Sequence, residues 1–475
     1  MMRLLKYGIS TIALLAVSLC LMLVAINWND EPLRPEVQAA LEWKVPEHAF
    51  EDNGYLIMLG MGAPAGQDAG AVGKQLLESE LARYQAYLQT HTGEMPTASD
   101  YSLSKKLAAT KIFCDTQKSK DCFEFYLAQD AHKQAAALKE YRFLTDRLRA
   151  IRQSKNYVEV WSPYPYHNIP FYGDMLNAAK LEHIQAIAEI SKGNIQKGLA
   201  RFVENAQFSR RLLRESNTLI SHMIALAMIK ADMRILSELL AKYPALARYR
   251  EQLAPVVTPI ATSEYSLSKA FQGERQIFLP RLHADLLDIH TTLRENREQK
   301  GNDTLSEASG LIADRMASLG LLRNATVNLS YDLWELRLKL AIADANHLDE
   351  ALASTEQEKD RLLGWGYAKF LYPKNPVGKI LQLIAEPAYK DYIFKHHDTD
   401  GYVRLVALQL KLIAEHVPAA RIPEALANAA QESRDPYTLQ PMQWDAASSE
   451  LRFQGRQDSS NGPNKKFLYT ATLPR

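Results

Sequence analysis

The sequence predicts an all-α protein, an irregular multi-helix bundle or helical-hairpin array, with an N-terminal transmembrane helix and a small C-terminal β-hairpin. Three observations carry that prediction. An uncharged apolar run fills residues 8–26, a 3.6-residue hydrophobic period runs from Lys74 to about residue 432, and that period is lost after Asp435-Pro436-Tyr437.

The first element is the apolar run (GISTIALLAVSLCLMLVAI), with no charge between Lys6 and Asp30. As a helix it would span about 28 Å, matching a hydrocarbon layer of roughly 30 Å. Arg3 and Lys6 precede it and Asp30 and Glu31 follow, a polarity that puts the N-terminus in the cytoplasm. Tyr7 and Trp28 stand where aromatic rings favour the two interfaces. A cleaved signal peptide has an apolar region of about 7–15 residues and a small-residue cleavage site. This run is longer, Ala25-Ile26-Asn27 is a poor site, and Leu19 before Cys20 is too large for lipoprotein processing. The expectation is an uncleaved single-pass anchor in a bacterial inner membrane, with the bulk periplasmic. Sequons at Asn302, Asn324 and Asn328 would matter only on a eukaryotic secretory route.

Composition narrows the partners. The 56 Lys+Arg against 55 Asp+Glu leave no basic footprint, so no nucleic-acid partner is expected. With 47% hydrophobic and 23% charged residues the chain can build a large ordinary core. Cys20 lies in the apolar run, while Cys114 and Cys122 are close enough in sequence to read as a disulfide in an oxidising compartment. On one continuous helix they would stand ~12 Å apart, beyond the ~7 Å reach of a bridge. Pairing therefore predicts a helix break within 115–121 (DTQKSKD).

After the stub and anchor (1–29), residues 30–73 read as a linker with a weak helix around 35–43 and a glycine-rich loop. Within it, 55–59 (YLIML) reads as a strand and 60–73 (GMGAPAGQDAGAVG) as an exposed loop capping the first helix. A dinucleotide fingerprint would need glycine where Ala65 stands; a P-loop ending at Gly73-Lys74 would need glycine at Asp68 and Ser or Thr at Gln75. No nucleotide and no cofactor are expected.

Helices are predicted over 74–90, 100–114, 121–153, 173–192, 195–215, 217–242, 247–259, 264–294, 307–345, 347–363, 377–394, 401–416 and 421–432. They divide into a region over 74–294 and a second over 295–434, separated by the polar stretch 294–307. Residues 174–211 read as a helical hairpin, and 193–202 (GNIQKGLARF) resembles the turn and second helix of a tetratricopeptide repeat. Small residues there let paired helices approach while Phe202 fills the seam. No 34-residue self-similarity accompanies it, so the resemblance implies packing and nothing about activity. The apolar stretch 219–229 reads as a buried core helix with His222 as a satisfied core histidine.

The segment 435–475 is expected to form a small β element, with strands at 451–454 and 467–473. DPYTLQPMQWD followed by LRFQG resembles the closing segment of a group of uncharacterised bacterial membrane-anchored exported proteins, carrying a D-P-[FY]-x(3)-P motif. DNGYLIMLGM at 52–61 and YVRLVALQLKL at 402–412 are similar to segments of the same group. The resemblance implies a helical body that ends in a small β element, and it implies no activity.

Few constellations carry chemistry. His396-His397-Asp398-Thr399-Asp400 is the densest set of ligand types, but a calcium loop would need an oxygen ligand at His396 and Glu at Ala407. Zinc remains open. The plainer reading has Asp398 and Asp400 capping a helix that opens at Gly401, with the histidines solvated. His283, Asp285, Asp288 and His290 show no H-E-x-x-H spacing, no G-x-S-x-G occurs, and no carboxylate pair is marked as an acid–base couple. No catalytic or metal residue is assigned. The aromatic stretches 161–172 and 364–379 read as plugs for the ends of the helical body, or else as the wall of a groove. The expectation is a non-enzymatic factor that binds an envelope protein partner or supports assembly. The alternative is an envelope enzyme or small-ligand receptor with a site formed between helices.

Overall fold

The computed structural model describes residues 24–90, 106–107, 110–114, 121–167, 169–260, 266–298, 320–364, 374–384, 389–458 and 466–474, with isolated positions before residue 24. These residues are mostly helical, with sixteen α-helices and one three-stranded antiparallel sheet described. The helices begin with α1 Pro35–Ala40, α2 Gly54–Leu59, α3 Ala69–Thr90, α4 Cys122–Leu127, α5 Ala131–Glu140 and α6 Arg142–Gln153. Next come α7 Tyr172–Ser191, α8 Ile195–Glu215, α9 Leu219–Lys242, α10 Arg250–Val257 and α11 Leu267–Glu298. The series ends with α12 Arg323–Ala341, α13 Leu348–Leu363, α14 Pro376–Ile384, α15 Tyr389–Ala414 and α16 Ile422–Ala427. The sheet has order β1 Gln443–Asp445, β2 Glu450–Asp458, β3 Lys466–Thr472. Among the described residues no helix is long and apolar enough to cross a membrane, and most of the predicted anchor at 8–26 lies outside them.

The chain divides into two compact units. The smaller takes its described residues from Met1–Lys44, Arg275–Leu340 and Glu350–Tyr389. Its core gathers Val37, Leu286, Leu321 and Val327 in one cluster and Leu329, Leu333, Leu336 and Leu363 in another. The predicted linker is tied down here. The Asp30 carboxylate caps the start of α12 by accepting from the Asn324 and Ala325 amides at 2.6 and 3.0 Å. Asn328 donates to Glu31 at 2.8 Å and to the Pro32 carbonyl at 3.1 Å, so the amide of that sequon is already committed.

The larger unit takes its described residues from Val45–Glu274, Ala341–Asp349 and Lys390–Arg475. Its centre is the helical hairpin of α7 and α8, where Phe202 is fully buried, with α9 packed against both. The boundaries predicted for 195–215 match α8, because Gly193 at φ 85 supplies the left-handed turn residue that ends α7 and starts the return. Cys114 and Cys122 are joined, with their Cα atoms 5.4 Å apart. Residues 111–114 are not helical and α4 starts at Cys122, which is the break the pairing requires.

Several expectations are corrected. Residues 55–59 form α2 and not a strand: the Asn53 side chain accepts from the Tyr55 amide as an N-cap, and an apolar run buried on all sides has no period to read. The glycine-rich segment is divided: 60–63 and Gly73 are buried, 64–68 form an exposed turn as expected, and from Ala69 the chain is already α3. A Cβ at Gly73 would strike the Leu56 carbonyl, so the glycine serves the close crossing of α2 and α3. The single helix predicted over 121–153 is three: Asp121 caps the first, Asp130 caps the second, and the third starts after Tyr141 without a side-chain cap. The helix predicted over 247–259 opens with a 3₁₀ turn at Pro244–Tyr249, and that over 421–432 shrinks to α16 with a 3₁₀ turn at Gln431–Ser433. No break falls between 394 and 401: α15 runs unbroken from Tyr389 to Ala414, while the first part of the helix predicted over 377–394 is the separate α14. The β element has a third strand, β1, with Gln443, Trp444 and Asp445 opposite Arg452, Leu451 and Glu450. Most of 100–114 and 299–319 lies outside the described residues.

Candidate functional site

In the larger unit an open cleft of about 1260 Å³ is lined by α7, α9, Tyr402 of α15 and the residues of β3. Its polar floor is a network centred on Asp232. His183 Nε2 lies 2.7 Å from Asp232 Oδ1, and Ser209 donates to Oδ2 at 2.7 Å. Asn205 donates to Oδ1 at 3.3 Å and approaches His183 Nε2 at 3.2 Å. Asn205 and Ser209, four apart, share one face of α8, so a single carboxylate ties three helices together. Both carboxylate oxygens are occupied, and Ser209 donates to the acid and not to the imidazole. The arrangement is thus a clasp and lacks the serine–histidine bond that activates a nucleophile.

The next acid along α9 is also engaged. Glu238 accepts from Arg234 at 2.9 Å and from the Cys122 and Phe123 amides at 3.2 and 2.8 Å, capping α4. Burial raises its pKa against those partners. Lys242 pairs with Glu124 at 2.6 Å.

Lys230 differs. It is half-buried on α9 and makes no hydrogen bond or ion pair among the described residues. Burial lowers its pKa, opposed by the field of Asp398. Beside it Tyr402, 8% exposed, packs its ring on Tyr469 with centroids 5.0 Å apart. Neither hydroxyl has a hydrogen-bond partner among the described residues, and burial pushes both well above the usual phenol range.

The third feature is the edge of β3. Leu473 donates to the Ser449 carbonyl at 2.8 Å, so strand alternation turns Tyr469 and Ala471 toward β2 and leaves the peptide groups of Leu468 and Thr470 on the outer side. Gln409 covers the Thr472 carbonyl at 2.7 Å and bridges to Ser237 at 3.1 Å, but no described residue covers Leu468 or Thr470. Leu468 is 49% exposed.

The residues singled out from sequence lie elsewhere. His396, His397, Asp398 and Asp400 sit inside α15, buried and neither capping nor solvated. Successive helical residues point about 100° apart, so the set diverges. His396 Nδ1 meets His222 Nε2 of α9 at 3.2 Å, leaving the other nitrogen of His222 without a partner. Asp398 accepts from the Tyr437 hydroxyl at 2.7 Å and from the Arg456 and Gln457 amides, both at 2.9 Å, and so pins β2 to the helix. Asp400 accepts from the Ile260 amide and Arg404, both at 2.6 Å. Gly401 is where the sheet comes closest, since a Cβ there would enter the Phe453 ring. Burial pushes His396 down to about 3 and His397 to about 4, and raises both aspartates. Among the described residues no group of three or more metal-ligating side chains converges.

His283 is half-buried in the smaller unit and Asp285 exposed, while the side chains of Asp288 and His290 lie outside the described residues. In the stretch 161–172, Tyr164 packs on Tyr87 at 5.8 Å and the Tyr172 hydroxyl meets Ser221 at 2.5 Å, both rings buried, while Tyr166 and Ile169 are exposed. Residues 365–373 of the second aromatic stretch lie outside the described residues. Sequence reasoning missed Lys230 and Asp232. Their signal was present: three alternate charges, Lys230, Asp232 and Arg234, follow a long apolar run in the middle of one helix (LISHMIALAMIKADMRIL).

No family model, curated protein or solved structure matches the chain.

Proposed function

We propose that the protein is a non-enzymatic binding factor of the bacterial envelope, tethered at the outer face of the inner membrane by residues 8–26. It takes an extended segment of an envelope protein partner into the cleft as an added strand on β3. The carrying observation is the contrast inside the cleft: His183, Ser209 and Asp232 are locked to one another, whereas the β3 edge is uncovered. Strand addition matches that edge, because main-chain hydrogen bonds supply affinity and alternate side chains supply selectivity. Lys230, which makes no direct ion pair among the described residues, suits a segment bearing a carboxylate. The anchor rests on the charge flanks and length of the apolar run, and the resemblance of residues 435–455 to exported anchored proteins fits the same placement.

The test is in-cell photocrosslinking from position 468 in the full anchored chain, with and without Thr470→Pro. Proline removes the outward N–H while sparing the ladder to β2. Capture of an envelope protein, abolished by that substitution, is expected. Adducts only of lipid or small molecules, or capture indifferent to the proline, would overturn the proposal. One observation favours a second reading, a small-ligand receptor or enzyme: a half-buried amine with lowered pKa is a reactive one. Lys230→Met abolishing binding of a small carbonyl compound would favour it.

A further inference from the structure

We infer that a second cleft of the larger unit is a binding site for a phosphate-bearing anion. It measures about 720 Å³ and is lined by Arg149 and Arg152 of α6, by Arg210, Arg211 and Arg214 of α8, and by a single acid, Glu204. The chain as a whole carries a net charge of only +1, so five guanidinium groups around one hollow are a strong local departure.

Helical spacing builds the cluster. Arg149 and Arg152 stand three apart on α6, and Arg211 and Arg214 three apart on α8, so each pair shares a helix face. The acids near these side chains, Glu204 apart, stand outside the hollow, with Arg214 3.9 Å from Glu215. Arg211 takes Glu215 at 2.9 Å and donates to the Arg152 carbonyl at 2.9 Å, and Arg149 takes Asp146 at 2.9 Å. Asp146, Glu182 and Glu215 do not line the cleft. Arg210 is spent on the Val256 and Thr258 carbonyls and acts as a strut.

Arg152 supplies an independent observation. Its side chain is 11% exposed, its nearest carboxylates are Glu182 at 3.8 Å and Glu204 at 4.0 Å, and its Nη1 is buried with no hydrogen-bond partner. Those separations are too long for hydrogen bonds, so a buried guanidinium is left incompletely satisfied. A phosphate group answers this arrangement better than a carboxylate. It presents three acceptor oxygens and up to two charges, and guanidinium forks bind it bidentately. The source of that phosphate is either a free anion or the headgroup of an anionic lipid.

Hydrogen exchange over residues 142–153 and 195–215 distinguishes them, using the full chain in nanodiscs. One arm adds inorganic pyrophosphate to discs of phosphatidylcholine, and the other replaces part of the phosphatidylcholine with phosphatidylglycerol. Slowed exchange in the first arm assigns a free anion, and slowed exchange in the second a headgroup. In either case Arg149→Gln with Arg214→Gln, both at partly exposed positions, weakens the effect roughly tenfold or more. The corresponding double lysine variant retains charge, loses the forks and falls between. No slowing in either arm, or slowing that the glutamine variant leaves intact, would overturn the site.

Discussion

Two buried aspartates organise the larger unit in different ways. Asp232 is held by side chains alone, from His183, Asn205 and Ser209, all within 49 residues of it. Asp398 is held by a tyrosine hydroxyl and two backbone amides of β2, as far as 59 residues away. A side-chain clasp can re-form with altered rotamers, but backbone amides cannot move without moving the strand. The first clasp therefore fixes helix packing that Phe202 and its neighbours already favour, whereas the second positions the three-stranded sheet against α15. The histidines follow the same division: His183 meets a carboxylate, while His222 and His396 meet each other.

The sharpest way to break the comparison is Asp398→Ala. It leaves three donors without an acceptor, and we expect a loss of about 4 kcal/mol with preferential proteolysis of residues 435–474. Chemical denaturation with mass mapping of the cut sites checks both. Proteolysis spread evenly over the unit would mean that the sheet is not held chiefly there.

Acid tests the histidines. His396 and His397 keep their protons off down to about 3 and 4, whereas an unfolded imidazole titrates near 6.5. Between those values the unfolded chain binds more protons, so this contribution is complete above pH 6.5 and is lost as the pH falls toward 4. Asp398 and Asp400, raised by burial, act in the opposite sense just above the unfolded value of 3.8. We expect wild type to lose about 3 kcal/mol between pH 6.5 and 4 through His396, and His396→Leu to flatten that slope. Equal slopes in the two proteins would show that this imidazole is not the acid-sensitive element.

The smallest effect is expected from Asp232→Asn, about 1–2 kcal/mol, because the amide oxygen still accepts from His183 or Ser209 and the hydroxyl can turn to Asn205. Thermal melts at pH 7 measure it. A loss as large as that from Asp398→Ala would erase the distinction between the two clasps.

Much of the helical framework was legible because it depends on local signals. Gly193-Asn194 marks the turn between α7 and α8, and the polar run after Cys114 marks the break that lets the cysteines meet. What escaped depends on distant partners. The string from His396 to Gly401 carries the marks of a helix stop and start, and only Ile260, Phe453 and the amides at 456 and 457 turn it into a helix interior. YLIML is apolar at every position, which leaves strand and helix indistinguishable until Asn53 caps it. The cleft was half legible, in the alternate charges Lys230, Asp232 and Arg234 that follow the apolar start of α9, but the bare edge of β3 depends on strand order. The arginine cluster was hidden by arithmetic, since a balanced total says nothing about where the charges gather.

The chain path through the larger unit also sets an order of assembly. Its helical core is made of residues 45–274, yet Gln409 joins Ser237 to Thr472 and Asp398 receives β2 only after residue 457 exists. A growing chain that has reached residue 440 has all its described helices but no sheet to shelter Asp398, Gly401 and the outer face of α9. Those surfaces stay wet and adhesive until the last strand of the sheet is delivered, which makes synthesis of β3 the step that closes the core. A chain without the sheet keeps Asp398 in water, and a protease can tell it from one in which the sheet has formed.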